Sequence, residues 1–368
     1  METKQRCKVG ILTFHDTTNF GATLQAYATY QAIKNIGVDD VEFIDYRCQN
    51  IDAREMPHIG GETSSLKSRV RNVFVYRKQK RKYDSLHSFL YGKCKVSSTQ
   101  YSQHNIAQAA NSYDKYLVGS DMLWCTRFTE HDYTYMLDFV KDDRRKNAFA
   151  TSVGHDWNEE EVPEIKALLQ RFTRLAVREK QTADYLTELL GKKVNFVCDP
   201  TMLISPQKWE KYLKHKSDRQ GYVLVYMDDA AGNCINNAIS YGSEHKREVC
   251  NAVFRFNPFK NNNFTALELY SIPDFLSAIH DASILFTASY HGMLFAIYFH
   301  VPFVYYNKDS ARLENVARLL GLEGRNGGKY RVEDMAEIDW EEVDRKREAF
   351  RERSLEILKG ILIDGNDL

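Results

Sequence analysis

The sequence predicts an α/β protein with two doubly wound parallel sheets, one in each of two domains. The 368 residues are too many for one ordinary hydrophobic core and suit two. Short apolar runs alternate with helical or polar stretches, which is the strand, helix, strand order that builds parallel sheets. Residues 201–220 hold Pro206 and a charged run but few strand signals, so they mark a domain boundary.

In the first domain, the pattern predicts a strand at residues 8–14, a helix at residues 21–36 and a second strand at residues 41–44. The helix is indicated by apolar residues such as Leu24 and Ala28, which recur on adjoining turns. Further strands follow, each beside a helical or polar stretch, at residues 115–118, 149–153, 175–177 and 194–197.

The strand pattern restarts after the boundary, at residues 222–226, 249–256, 284–286 and 303–305, and a helix over residues 341–361 closes the chain. We therefore predict an N-terminal Rossmann-like domain over residues 1–205 and a C-terminal one over residues 206–368. The two domains are expected to face a cleft, with a final helix that can cross back to the first.

Composition limits the class of protein. Lysine and arginine together number 50, as do aspartate and glutamate, so no net charge draws the whole chain to nucleic acid or to a membrane. The seven cysteines lack metal-like spacing, no apolar signal segment opens the chain, and no apolar run approaches the roughly 20 residues of a bilayer span. Three His-Asp pairs, at residues 15–16, 131–132 and 155–156, are isolated, so we expect a cytoplasmic protein without a metal site.

The turn at residues 287–292, Thr-Ala-Ser-Tyr-His-Gly, is the most informative part of the sequence. It follows an apolar strand and opens an apolar helix. A strand that leads into such a turn brings backbone N–H groups and an imidazole to one point. This combination suits an anion and a proton transfer, because imidazole can give or take a proton near neutral pH.

This turn resembles the Thr-x-Ser-Phe-His-Gly segment of the polysaccharide pyruvyl transferase family, whose members move pyruvate from phosphoenolpyruvate onto a sugar as a ketal. Other blocks resemble the family in the same order along the chain, at residues 19–27, 118–124, 176–179 and 199–203. The resemblance implies two domains of the glycosyltransferase B type. It also implies a transferase that acts on a surface-polysaccharide precursor, with phosphoenolpyruvate as donor substrate and no cofactor.

His291 is the first candidate for proton transfer, and the resemblance points to the same histidine. The alternative is a histidine at a helix start whose ring satisfies buried backbone. Ser289 and Gly292, in the same turn, are predicted to bind the donor.

Asn19, Gly21 and Gln25 lie around the junction of the first strand and the first helix, where backbone N–H groups and small residues can approach a ligand. Residues 19–22 resemble the family's Asn-x-Gly-Ala block, and Gln25 lies one turn further on. The resemblance makes Asn19, Gly21 and Gln25 donor-binding candidates. From the residues alone, this is an ordinary strand-to-helix turn.

Arg178 and His155 each follow a predicted strand, at the sheet edge where ligands of such folds bind. Arg178 can grip a carboxylate or phosphate with two parallel hydrogen bonds, or it can form a salt bridge with Glu179 or another acid. His155 can supply a second proton-transfer group, or it can be a surface histidine in a loop.

Asp121 and Trp124 follow another predicted strand. Asp121 can bind the hydroxyl groups of an acceptor sugar while Trp124 stacks on its ring. Alternatively, Asp121 caps a helix and Trp124 lies in the core.

A basic segment near residues 63–90 is predicted as an insertion in the first domain. Residues 63–83 contain eight lysines or arginines and no acid. Such a run is typical of the solvated face of a long helix. The alternative is a basic patch that meets a membrane surface carrying a lipid-linked glycan.

Two other functions are compatible with the sequence. A glycosyltransferase with a nucleotide-sugar donor would have the same architecture. A non-catalytic glycan-binding partner is the third, because Ser289 and Ala288 stand where some family members carry Arg and Asp. A cationic clamp is then absent unless another residue supplies it, such as Arg174, Arg255 or Lys308.

Overall fold

A computed structural model of the protein describes residues 7–57, 66–154, 156–215, 219–229, 232–252, 264–307 and 312–363, with only the backbone for residues 66–72. The chain packs as two compact units. Unit 1 comprises Met1–Met56, His87–Ile204 and Glu348–Leu368. Unit 2 comprises Pro57–Leu86 and Ser205–Arg347.

Unit 1 is built on a parallel sheet of seven strands: β1 (Val9–Leu12), β2 (Val41–Tyr46), β3 (Val96–Tyr101), β4 (Lys115–Val118), β5 (Lys146–Thr151), β6 (Arg174–Val177) and β7 (Asn195–Phe196). Their order across the sheet is β3-β2-β1-β4-β5-β6-β7. The inner strands are buried along their length, which explains why they appear in the sequence as apolar runs rather than as alternating patterns.

The helices that follow these strands are α1 (Phe20–Asn35), α2 (Gln49–Glu55), α3 (Leu66–Tyr91), α4 (Thr126–Thr129), α5 (Val162–Gln170), α6 (Lys180–Leu190) and α7 (Pro200–Leu203). The hydrophobic core joins Leu12, Ile44 and Val118 of the strands to Ile165 and Leu186 of the helices. Parallel strands with helical crossovers thus bury most of the apolar residues of this unit.

Unit 2 contains α8 (Pro206–Glu210), β8 (Val223–Tyr226), α9 (Asn233–Glu244), β9 (Val249–Ala252), β10 (Thr265–Leu267), α10 (Ile272–His280), β11 (Ile284–Thr287), α11 (Tyr290–Tyr298), β12 (Phe303–Tyr305), α12 (Arg312–Leu320) and the start of α13 (Trp340–Leu362). Its five parallel strands have the order β10-β9-β8-β11-β12. Helix α10 begins with a capping box between Ser271 and Asp274. No helix in the described part of the chain combines the length and apolar character of a membrane span.

Helices α3 and α13 each divide between the two units, whereas the sequence predicted the basic segment in the first domain and a final helix that can cross back to it. The basic segment belongs to unit 2 as far as Leu86, where Lys78 pairs with Glu268 and Arg81 lies 4.2 Å from the ring centre of Tyr270. Residues 348–368 belong to unit 1.

The end of α13 is attached to unit 1 by polar and aromatic contacts. Ser354 Oγ accepts a hydrogen bond from Cys198 N at 3.0 Å, and the ring of Phe350 lies 4.8 Å from that of Phe196. These contacts attach the end of α13 to the first sheet.

Strand β5 begins earlier than predicted, at Lys146 instead of residue 149. Polar residues open the strand, so the apolar pattern starts late, although Lys146 already pairs with Tyr116 of β4. Its side chain is fully buried, and Nζ lies 3.6 Å from Asp143 Oδ1. Burial and the nearby Arg171 lower the pKa of Lys146 to about 8.

We expect Lys146→Met to stabilise unit 1 at pH 7 by about 1–3 kcal/mol, because the variant removes a charge that folding buries. The folded-state pKa lies below that of the unfolded chain, so the unfolded state binds more protons between the two values. The wild type therefore gains stability as the pH rises above about 8, and the difference between the proteins shrinks. Urea unfolding of both proteins at pH 7 and pH 9.5 measures their free energies of unfolding. A variant less stable than the wild type at pH 7 would contradict the expectation.

Helix α11 approaches the sheet of unit 2 closely at Gly292. A Cβ atom there would lie 2.9 Å from Thr287 Oγ1 and 3.0 Å from a ring carbon of Tyr226. Thr287 cannot easily give way, since its hydroxyl donates to Tyr226 O at 2.5 Å. Only glycine therefore fits this position without movement of the helix.

We expect Gly292→Ala to destabilise the protein by about 1–3 kcal/mol, because the added methyl group overpacks the contact between helix and sheet. Gly360→Ala is the matched control: Gly360 lies inside α13 with no atom within 4 Å of a built Cβ, so alanine should stabilise it by about 0.5–1 kcal/mol. Chemical unfolding compares the two variants. Equal stability of Gly292→Ala and the wild type would show that α11 shifts without cost.

Candidate functional site

Each sheet reverses its strand order at one position, between β1 and β4 in unit 1 and between β8 and β11 in unit 2. In sheets of this kind, ligands bind outside the carboxyl ends of the strands at such a switch point. The turns at these positions cover residues 13–19 and 119–122 in unit 1, and residues 227–229 and 288–289 in unit 2. The predicted site residues in the described part of the chain lie in these turns or close to them.

In unit 2, Ser289 caps the start of α11. Its hydroxyl accepts from Gly292 N at 3.2 Å, and its own N–H donates to Thr287 Oγ1 at 3.0 Å. The predicted donor-binding pair Ser289 and Gly292 thus bind each other and shape the turn. Because this bond occupies the Gly292 N–H, the partial positive charge of the α11 terminus is what the turn offers to an anion.

His291 is the second residue of α11, at the switch point of the unit 2 sheet. Its ring is partly buried and meets the edge of the Tyr290 ring at a centroid distance of 5.3 Å. The structure therefore places an imidazole beside the positive end of a helix, next to the carboxyl edge of β11. That position suits proton transfer to an anionic substrate.

Asp228 and Asp229 follow β8 on the other side of the same switch point, and the sequence pattern did not single them out. They cap α9: Asp228 Oδ1 accepts from Ile235 N at 3.1 Å, and Asp229 Oδ1 accepts from Cys234 N at 2.9 Å. Burial raises the pKa of Asp228, and the adjacent Asp229 carboxylate adds to this. Burial opposes ionisation of Asp229 too, but hydrogen bonds with Cys234 N–H, Asp228 and Asn233 together outweigh it and lower the pKa of Asp229. The sequence feature that could have identified these residues is a pair of acids shortly after an apolar strand.

In unit 1, Arg178 follows β6 and its side chain is completely buried. The guanidinium donates to Asp199 at 3.0 Å, to Glu179 at 3.3 Å and to Asp121 at 3.4 Å. It also lies 3.4 Å from Ser120 Oγ. Arg178 is thus one cation shared by three carboxylates, which corresponds to the salt bridge that was the alternative interpretation. Because its hydrogen bonds go to these carboxylates, Arg178 is poorly suited to bind the phosphate or carboxylate of a donor.

Gln25 is fully buried and holds the turn after β4. Its Nε2 donates to Thr13 Oγ1 at 3.1 Å, and its Oε1 accepts from Ser120 N at 3.1 Å. Thr13 Oγ1 in turn donates to Ser120 O at 2.8 Å. Both polar atoms of the Gln25 amide therefore serve the protein itself, which makes Gln25 a positioning residue.

Asn19 is the N-cap of α1, and its Oδ1 accepts from Gly21 N at 2.9 Å and from Ala22 N at 3.4 Å. Gly21 is buried in the first turn of the helix. The pair thus forms the helix start that the sequence alone suggested. A role of Asn19 and Gly21 in donor binding stays a prediction.

Asp121 lies at the switch point of unit 1 with a positive φ of 93°, a backbone conformation that is rare for residues other than glycine. Its Oδ1 accepts from Met122 N at 2.8 Å, and 15% of its side chain is exposed. A partly accessible carboxylate held in an unusual conformation is a candidate ligand for sugar hydroxyl groups.

Trp124 cannot stack on a sugar, because none of its surface is exposed. Its Nε1 donates to Tyr135 O at 2.9 Å, and its ring meets the edge of Phe172 at 5.9 Å. The predicted acceptor contact is therefore corrected: Trp124 is a core residue, which was the alternative.

Some candidates lie elsewhere. His155, Arg255 and Lys308 fall outside the described residues. Arg174 begins β6, at the end of the strand opposite to Arg178, so it cannot supply a cation at the carboxyl edge. Among the described residues, no group of three His, Cys, Asp or Glu side chains is placed to hold a metal ion.

Two solved structures illustrate the fold that this chain is similar to. A Listeria monocytogenes protein assigned as a UDP-N-acetylglucosamine 2-epimerase is 12% identical, with a TM-score of 0.55 over 98% of each chain. The S. aureus MnaA-UDP co-structure is 12% identical, with a TM-score of 0.54 over 97% of each chain. At this identity the likeness shows the fold alone, and it confirms the predicted class: two Rossmann-like α/β domains of the glycosyltransferase B type with a C-terminal helix.

The family comparison bears on the resemblance seen in the sequence. Curated proteins gave no match. The polysaccharide pyruvyl transferase model matches residues 19–310, more than three quarters of the chain. The resemblance is confirmed by this match, and the chain belongs to the polysaccharide pyruvyl transferase family, a family of transferases.

Proposed function

We propose that the protein transfers pyruvate from phosphoenolpyruvate to a sugar of a surface-polysaccharide precursor, where it forms a ketal. One observation supports this reaction above the others: His291 stands at the switch point of unit 2, in the first turn of α11. Family membership gives the transferase class. The choice of phosphoenolpyruvate as donor and of a sugar as acceptor is part of the proposal.

The reaction needs an acid and a base. Protonation of the methylene carbon of phosphoenolpyruvate makes its C2 electrophilic, and a sugar hydroxyl then attacks C2 and loses its proton. A second hydroxyl of the sugar displaces phosphate from C2 and closes the ketal. Of the two hydroxyl protons, one balances the proton given to the methylene carbon and the other leaves with phosphate. The proposed reaction uses no metal or organic cofactor.

We assign protonation of the methylene carbon to His291. The positive end of the α11 dipole favours the negative charges of phosphoenolpyruvate beside it. Asp228, whose pKa burial raises, lies at the same switch point and is a candidate to support this acid. Ser289 and Gly292 shape the turn that holds the imidazole.

We assign contact with acceptor hydroxyl groups to Asp121 in unit 1. Its neighbours Arg178, Glu179 and Asp199 leave an excess of carboxylates over cations. Such surroundings repel an anionic donor and favour hydroxyl donors. Arg178 then acts as the residue that positions Asp121.

We expect His291→Gln to lower kcat about 10²–10⁴-fold while phosphoenolpyruvate binding changes little, because glutamine retains polarity but cannot transfer the proton. Phosphate release with a panel of methyl pyranosides as acceptors measures kcat, and calorimetry measures donor binding. His300→Gln is the control, since His300 is exposed and pairs with Asp344 away from the turn. Its activity should match the wild type.

The outcomes separate the three functions. Full activity of His291→Gln would remove its assigned role. Stabilisation of the wild type by UDP, GDP or CMP but not by phosphoenolpyruvate would favour the glycosyltransferase. Acceptor binding without phosphate release from any donor would favour the non-catalytic partner.

We also propose that the basic segment lets the protein approach a membrane that carries a lipid-linked acceptor. The structure shows which basic residues of this segment are exposed and could contact a bilayer. Lys78 pairs with Glu268 and Lys82 is buried, whereas Arg77 and Lys80 are exposed, Lys80 as one member of a surface pair with Asp84. The same helix carries Phe74, which is 56% exposed. A basic surface beside an exposed aromatic ring suits an anionic bilayer.

We expect Arg77→Glu combined with Lys80→Glu to weaken binding to vesicles with anionic lipids at least tenfold, because each basic residue near such a surface contributes about 1 kcal/mol. Vesicle flotation measures binding, and neutral vesicles are the control. Unchanged flotation would leave the segment as the solvated helix face that its composition also fits.

A further inference from the structure

Unit 1 contains a groove at the edge of its sheet opposite to the switch point. The groove has a volume of about 460 Å³ and is lined by residues at the starts of β6 and β7 and by residues of α13 between positions 353 and 361. All of these residues belong to unit 1. Arg174 begins β6 and Asn195 begins β7, so the groove lies at the amino ends of these parallel strands. We call it the α13 groove, and its volume is typical of a small-molecule site.

The rim of the α13 groove is basic. Lys193 and Arg353 are exposed, and neither side chain has a hydrogen bond or an ion pair with any residue that the structure describes. Glu356, the acid that lines the groove, pairs with Lys359 at 2.6 Å. Arg174 is not free, so Lys193 and Arg353 are the cations that a ligand would meet. The rim therefore complements an anion.

Two isoleucines give the α13 groove an apolar wall. Ile357 and Ile361 lie four residues apart on α13 and thus on the same face of the helix. Lys115, at the start of β4, fixes the end of this helix, because its Nζ donates to Ile361 O at 2.9 Å. A ligand with an apolar body can therefore bury its surface against this face while its charged group stays at the rim.

Gly360 leaves the α13 groove open. It lies inside α13, where glycine is less favourable than alanine. None of the described atoms outside the helix lies within 4 Å of a Cβ atom built there, so no packing contact requires glycine. A glycine inside a helix without such a contact suggests a functional reason. Here it leaves room for a ligand beside Ile357 and Ile361.

We propose that the α13 groove binds an anionic amphiphile, a ligand that carries a phosphate group on an apolar chain. The phosphate meets Lys193 and Arg353 at the rim, where a guanidinium can donate two parallel hydrogen bonds to it. Two free cations match a phosphate dianion better than a single carboxylate. The apolar chain lies against Ile357 and Ile361, beside Gly360. This site is separate from the proposed pyruvyl transfer, because it lies at the other edge of the sheet.

Calorimetric titration of the full chain with octyl phosphate, below the concentration at which it forms micelles, tests the site. Inorganic phosphate and octyl glucoside are the comparison probes, since they carry the charged group alone and the apolar chain with a neutral head. We expect saturable binding of octyl phosphate at least about tenfold tighter than that of either comparison probe, because it uses the rim and the wall together. Binding no tighter than that of the comparison probes would overturn the proposal.

Reversal of the rim charges tests the phosphate contact. We expect Lys193→Glu combined with Arg353→Glu to weaken octyl phosphate binding by about tenfold or more, because the dianion then meets carboxylates. The matched control is Arg127→Glu combined with Lys141→Glu, since these exposed residues of unit 1 do not line the groove. The control changes the net charge equally, so its affinity should stay within about twofold of the wild type. Equal losses in both double variants would overturn the proposed contact.

Gly360→Leu distinguishes loss of binding from loss of folding. Leucine favours a helix more than glycine does, so thermal unfolding should show a variant at least as stable as the wild type. Its side chain would occupy the groove, and we expect the affinity for octyl phosphate to fall by about tenfold or more. Wild-type affinity in this variant would overturn the placement of the apolar chain.

The phosphate can belong to a soluble molecule or to a lipid headgroup, and flotation with vesicles that contain phosphatidic acid distinguishes the two sources. The measurement uses the Arg77→Glu, Lys80→Glu protein, which lacks the basic surface of α3. Flotation that is lost when Lys193→Glu and Arg353→Glu are added would assign a lipid headgroup. Binding of octyl phosphate without flotation, or with flotation that these changes leave intact, would assign a soluble ligand.

Discussion

The buried guanidinium of Arg178 connects the carboxyl ends of four neighbouring strands in unit 1. Each carboxylate that it binds also accepts a hydrogen bond from elsewhere: Asp121 accepts from Met122 N after β4, Glu179 accepts from Ser152 Oγ after β5, and Asp199 caps α7 after β7. Arg178 itself follows β6. A buried charge is tolerated only when it is paired, so removal of the guanidinium would leave three carboxylates without their shared cation. The candidate acceptor residue Asp121 is therefore fixed by the same network that holds this side of the sheet.

At each switch point, a threonine hydroxyl links the two neighbouring strands that flank it. In unit 1, Thr13 Oγ1 donates to Ser120 O and accepts from Gln25 Nε2. In unit 2, Thr287 Oγ1 donates to Tyr226 O and accepts from Ser289 N. Hydrogen bonds within the protein thus hold both polar turns in a similar way. The two switch points differ in their side chains: Asp121 lies at the one in unit 1, and His291 lies at the one in unit 2.

The sequence predicted the strands that are buried on both faces, because such strands are continuous apolar runs. It did not predict β3 and β10, two edge strands that are partly exposed and lack such a run. It also placed His291 and Asp121 at sheet edges, because polar residues directly after such runs mark the carboxyl ends of strands. It could not decide between burial and exposure of Trp124, since an aromatic ring suits a core as well as a sugar. The sequence could not reveal the Arg178 network or the contact between His87 and Asp16, because the residues involved are far apart in the chain. Arg178 contacts residues 57 and 21 positions away, and His87 contacts Asp16 across 71 positions. Only the folded topology brings such segments together.

The division of the chain between the units has a consequence for biosynthesis. The chain passes between the units four times, and unit 1 receives its last segment, Glu348–Leu368, from the end of the sequence. The strands of the unit 1 sheet all lie before residue 205, but the end of α13, which packs beside β7, is translated after unit 2. Until then Cys198 N lacks the Ser354 hydroxyl and Phe196 lacks the Phe350 ring, so the edge at β7 stays uncovered. Unit 1 therefore reaches its final packing only after unit 2 has been translated.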